Sequence, residues 1–100
     1  MGRKGETMKA ILTVKNKVTD SKTTEERLLF NTEKARRICD VKNEFGHVVK
    51  EMYLSPTGII FSKYTKPEGL YVEDQKAAEE YIGKNYPEIY ISFFGEVKEA

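Results

Sequence analysis

The chain has one cysteine, one histidine and no tryptophan. Cys39 alone allows no internal disulfide and fits a reducing compartment. Together with His47 it supplies two of the roughly four Cys/His ligands of a zinc centre, so no metal and no cofactor is expected. No Ser or Cys stands in a strained glycine elbow, and His47 is the one imidazole on which a nucleophile–base pair could draw. It follows Gly46 at the start of an apolar run and reads as a surface residue. Glycines are few and make no phosphate-cradling loop. The adjacent acids, Glu25-Glu26, Glu73-Asp74 and Glu79-Glu80, diverge by about 100° when helical, and they read as solvated faces. An enzyme is therefore not expected. No apolar run is long enough to span a membrane. The opening MGRKGETMKA lacks the apolar core of a secretory signal, and Glu6 stands where a myristoylation pattern needs Ser or Thr. The expectation is a cytoplasmic protein.

What is present is one domain's worth of chain with a well-marked hairpin. Residues 46–66, GHVVKEMYLSPTGIIFSKYTK, turn at Ser55-Pro56-Thr57-Gly58. Proline presets φ at the second turn position, and glycine at the fourth accepts a left-handed φ. That reversal sets a register in which Leu54 faces Ile60, Tyr53 faces Phe61, Met52 faces Ser62 and Glu51 faces Lys63. Each such cross-strand pair is worth roughly 0.2–1 kcal/mol. Tyr53, Phe61 and Ile59 share one face, and Leu54, Met52, Ile60 and Tyr64 the other. Both faces are apolar near the tip, so both should be covered, either within the fold or with one of them against a partner.

Around the hairpin the chain reads as follows. Residues 1–8 carry two glycines and scattered charge and read as a disordered tail, with Met8 an alternative start. Residues 9–18 are rich in β-branched residues and read as a strand. DSKTTE, residues 20–25, reads as a polar loop, and RLLF, residues 27–30, as a short extended lead-in. Asn31 is placed to cap a helix over residues 32–41, with Ala35, Ile38 and Cys39 as its apolar stripe and Phe30 packing back on Ala35. Cys39 there is a small buried hydrophobe. Residues 42–46 connect to the hairpin, TKPEG breaks it at residues 65–69, and residues 70–72 add a short extended piece. Asp74 caps a helix over residues 75–84 whose inner face is Ala77, Ala78, Tyr81 and Ile82. PEIYISFF fits either a strand or a short helix with Pro87 at its first position and Gly95 at its end, and the helix is preferred. The fold expected for residues 9–100 is a single α+β domain. It has an antiparallel sheet of three or four strands, built on a central hairpin over residues 47–65, with two or three helices on one face.

Several stretches resemble a large group of uncharacterised small proteins carried by phages, plasmids and integrative elements, mainly of Firmicutes. They are LFNTEKA at residues 29–35, EMYLSPTGIIF at 51–61, AAEEY at 77–81, and Tyr90 with FGEVKEA at 94–100. The resemblance covers about 70 residues. It departs after the second hairpin strand, where the group carries a longer Gly-rich excursion and this chain has the compact TKPEG. It implies a mobile-element context and an accessory, non-enzymatic role, and it carries over no functional residue.

Two kinds of partner are then weighed. Eleven aromatics in so small a chain, together with an apolar hairpin tip, favour protein–protein interaction through Tyr53, Phe61, Tyr64 and Tyr90, with Tyr71 and Tyr86 as further tyrosine anchors and a homodimer among the arrangements allowed. The alternative is nucleic acid. Lys34, Arg36 and Arg37 fall on the expected first helix, and Lys63 and Lys66 at the hairpin base, where a basic strip could hold phosphates. The first fifty residues hold 12 Lys/Arg against 7 Asp/Glu and the last fifty 5 against 9. The two halves are expected to interleave in space and cancel this asymmetry.

Overall fold

A computed structural model describes residues 7–100, apart from the side chains of residues 17 and 18. Most of the expected tail, residues 1–6, lies outside the described residues. Met8 belongs to the fold: its N–H donates to Thr32 Oγ1, and its carbonyl accepts from the Thr32 N–H, both at 3.0 Å.

Six strands and two helices follow in the order β1 (Lys9–Thr19), β2 (Lys22–Asn31), β3 (Arg36–Lys42), β4 (Val48–Leu54), β5 (Ile60–Thr65), β6 (Glu68–Val72), α1 (Gln75–Asn85) and α2 (Pro87–Phe94). β3 to β6 form a four-stranded antiparallel meander, and β1 and β2 a separate two-stranded ribbon. The molecule is α+β, and the expected hairpin forms the middle of the meander.

Its register is the one the turn dictates. Leu54 pairs with Ile60, Tyr53 with Phe61, Met52 with Ser62 and Glu51 with Lys63. Gly58 takes φ +89°, its N–H donates to the Ser55 carbonyl at 2.9 Å, and the Ser55 N–H donates to Ile59 at 2.9 Å. The β3–β4 reversal uses the same device at Gly46, φ +83°, with Asn43 Oδ1 accepting from the Phe45 and His47 N–H groups at 2.9 and 3.0 Å. TKPEG does not end the sheet: Thr65 pairs with Glu68 across Lys66-Pro67, and β6 follows directly.

Two expectations fail in the first third of the chain. Lys22–Asn31 is one long strand, because the reversal from β1 needs only Asp20-Ser21 and threonines 23 and 24 are good strand formers. The expected helix over residues 32–41 does not form. Asn31 Oδ1 accepts from the Glu33 N–H at 2.9 Å, closing a turn instead of capping a helix, and the chain then runs extended as β3. A register shift between Arg37 and Cys39 lets the consecutive Ile38 and Cys39 both become buried. A bulged strand thus reproduces the apolar spacing that resembled a helical stripe.

The meander lies between two covers. On one side Ile38, Cys39, Met52 and Ile60 pack with Ala78 and Ile82 of the helices. On the other, Phe61 and Leu70 pack with Val14 and Phe30 of the ribbon. Ile60, Phe61 and Ile82 are each 0% exposed, and full burial of such a side chain contributes roughly 1.5–3 kcal/mol. Both faces of the hairpin are therefore covered within the chain. On α1 the Asp74 carboxylate accepts from the Ala77 N–H at 3.0 Å, as expected, but Ala77 itself is exposed and the inner stripe is Ala78 and Ile82. α2 forms as a helix, starting at Pro87 and stopping at Gly95, φ +101°. Among the described residues no helix is long and apolar enough to cross a membrane.

Candidate functional site

α2 reads PEIYISFF, with one carboxylate, on Glu88, and two hydroxyls, on Tyr90 and Ser92, in eight residues. Glu88 and Ser92, four apart, make one exposed polar edge, and the rest of the helix is largely apolar, yet none of its residues is fully buried. Ile89, Tyr90, Phe93 and Phe94 lean on the helix-side core, and each stays partly exposed. The close approach to α1 depends on Gly83: a Cβ there would stand 3.3 Å from Tyr90 Cδ2. The other flank is held by Arg36 of β3, whose guanidinium lies 4.3 Å from the Phe93 ring centroid, and by the Tyr86 hydroxyl, which donates to the Asp40 carbonyl at 3.0 Å.

Docked this way, α2 leaves a groove of about 440 Å³ against α1. Gly83, Pro87, Tyr90, Ile91 and Val97 give it apolar walls, and Lys76, Glu79 and Glu80 form its polar edge. Val97 is 65% exposed. The groove is open, apolar at its base and edged with carboxylates. It lacks convergent donors for a small polar ligand, and it suits another apolar side-chain surface.

A second cluster lies on the helix side of β4–β6. Lys50 Nζ donates to Glu73 Oε2 at 2.7 Å and to the Tyr64 hydroxyl at 3.2 Å, and the Ser62 hydroxyl donates to the same Glu73 oxygen. The Lys50 and Glu73 side chains are 17% and 16% exposed, and Ser62 is fully buried. Burial works against the Lys50 ammonium, but the bonds to Glu73 and Tyr64 outweigh it and hold its pKa above the ordinary value. A lysine kept protonated cannot serve as a base, and the cluster's donors are spent on one another.

The tyrosines expected at a partner surface are scattered. Phe61 must be withdrawn from that set: it is 0% exposed, sealed between the Phe30 and Tyr53 rings at 4.9 and 5.5 Å. Tyr53 is half-buried on the ribbon side, its hydroxyl donating to Glu51 at 3.0 Å, and burial followed by that bond pushes its pKa up to about 12. Tyr64 stacks edge-on with the exposed Tyr71 at 5.0 Å, away from the groove. Of the four, only Tyr90 lines the groove.

The expected basic strip is not assembled either. Arg36 and Arg37 lie on a strand, where neighbouring side chains point to opposite faces. Arg36 goes to Phe93, and Arg37 pairs with Asp40 and approaches Glu51 at 3.9 Å. The Asp40 hydrogen bond is the first cause of a raised Arg37 pKa. Lys34 sits in the turn before β3, Lys63 on the ribbon side of β5, and Lys66 at the β5–β6 reversal. Ile91, Val97 and Gly83 were not singled out from the sequence, although the shortage of polar residues in PEIYISFF was there to mark α2 as a surface needing cover.

No protein-family model, curated protein or solved structure matches the chain.

Proposed function

We propose that this is a small cytoplasmic, non-enzymatic accessory protein of phage or mobile-element origin that works by docking on another protein through α2 and the α1–α2 groove. One observation carries the reading: a largely apolar helix none of whose residues is fully buried. Association that covers such a surface removes apolar area from water at about 25 cal/mol per Å². The groove's apolar walls and its Glu79 and Glu80 edge suit an amphipathic helix with apolar anchors flanked by Lys or Arg. The self-satisfied Lys50–Glu73–Ser62 cluster supports a structural role for the polar residues most like a catalytic set.

The test is affinity capture from host extract with the wild-type chain and with Ile91→Glu/Val97→Glu. Ile91 and Val97 line the groove without belonging to the helix-side core, so the variant should keep the wild-type circular dichroism and melting temperature. One dominant protein retained by wild type and lost by the variant is expected. Equal retention by both, or none by either, contradicts the reading.

A further inference from the structure

The ribbon is the part of the molecule that the docking surface leaves unused. Its inward residues, Ala10, Leu12, Val14, Leu28 and Phe30, pack on the meander. Every residue from Thr19 to Arg27 is exposed, so these residues add nothing to the core. A two-stranded ribbon is marginal by itself in water, and an arm of this kind is maintained against its own weak stability.

Its outward face is chemically distinct. Alternation along β1 brings Lys9, Ile11, Thr13 and Lys15 to one side, opposite Asn31, Leu29, Arg27 and Glu25 of β2. Lys9, Lys15 and Arg27 are exposed, and Glu25 is the one carboxylate among these eight residues. Ile11 and Leu29, directly paired, are 68% and 64% exposed between the cations. The ribbon, residues 9–31, has five Lys/Arg against three Asp/Glu, whereas residues 75–100 have three against five. Ribbon and helices cover opposite faces of the meander. The two halves of the chain share the meander, but the ribbon segment carries a net +2 and the helical segment a net −2.

We propose that the outward face of β1–β2 binds duplex DNA, with the ribbon lying in the major groove. The dimensions agree. Two strands about 4.8 Å apart with their side chains fit a groove about 12 Å wide. Lys9 and Lys15, six residues apart, span roughly 20 Å, enough to reach phosphates along the groove. Arg27, exposed between them on β2, is placed to reach a third phosphate, and Ile11 and Leu29 offer apolar contact to thymine methyl groups. The deep, narrow major groove of A-form RNA excludes the same ribbon.

The experiment is fluorescence anisotropy with a labelled mixed-sequence duplex DNA, with duplex RNA and single-stranded DNA of the same sequence as comparisons. Three neutralised phosphates predict a slope of about −2.7 in log K against log salt, which is about forty-fold weaker binding at 200 mM than at 50 mM. Lys15→Glu/Arg27→Glu should lose at least about ten-fold in affinity with an unchanged melting temperature, and Arg27→Gln should reduce the salt slope by about one. Lys42→Glu/Lys84→Glu, away from the ribbon, should bind like wild type. Absence of duplex binding at 50 mM salt, equal loss in both charge-reversed pairs, or preference for RNA or single strands overturns the proposal. The docking reading is untouched by any of these outcomes, since Ile91→Glu/Val97→Glu should bind DNA normally.

Discussion

Glu73 is the residue on which the polar interior depends. It accepts from both Lys50 and Ser62, and Ser62 is 0% exposed. Glu73→Ala leaves an ammonium and a hydroxyl without their acceptor, and should destabilise by about 2–3 kcal/mol in urea unfolding. Lys50→Met/Glu73→Leu, which removes both charges together, should recover a large part of that loss. Cys39 supplies a pH signature. Burial, followed by the nearby Asp40 charge, raises its thiol to about 11 from an ordinary value near 9. A folded-state pKa above the unfolded one means stability is intact below about pH 9 and falls as pH rises toward 11. Tyr53, raised to about 12, continues the loss above about pH 10. Melting temperature measured from pH 7 to 11 should stay level and then drop, and Cys39→Ala should start lower but drop less between pH 9 and 11.

At the level of elements, the turn residues were the most legible part of the sequence. Pro56 and Gly58 define a reversal that no tertiary contact needs to adjust, so the whole β4–β5 register followed from them. Asp74 and Pro87 marked helix starts for the same local reason. β3 was not legible because its bulge puts Ile38 and Cys39 on the buried side together, and spacing alone cannot distinguish that from a helix. The β2 strand was hidden by polar residues that are exposed and add nothing to the core. Gly83 is the element-scale test. Its contact with Tyr90 at 3.3 Å leaves no room for a branched side chain, so Gly83→Val should cost about 1–3 kcal/mol in urea unfolding and expose Tyr90 to solvent in fluorescence quenching. A wild-type stability for that variant would mean that α2 does not rest on α1 as described.

The whole molecule is a meander covered by a ribbon on one face and by two helices on the other, and its extents of 49 × 39 × 24 Å reflect that layering. The class of fold could be read from residue patterns, but the surfaces could not. Which aromatic faces solvent depends on which layer covers it: the ribbon seals Phe61, while Tyr90, packed against α1 on one side, stays partly exposed. The basic strip failed for a related reason, since Arg36 and Arg37 share a helix side in one reading and opposite strand faces in the other. The account's central claim is that the uncovered face of α2 meets another protein. Its most direct test is a photo-crosslinking amino acid placed at position 91 in the host cell, with position 24 on the ribbon as control. The claim predicts a single dominant adduct at 91 that is missing at 24 and lost when Val97→Glu is added. No adduct at 91, or the same adducts at both positions, would contradict it.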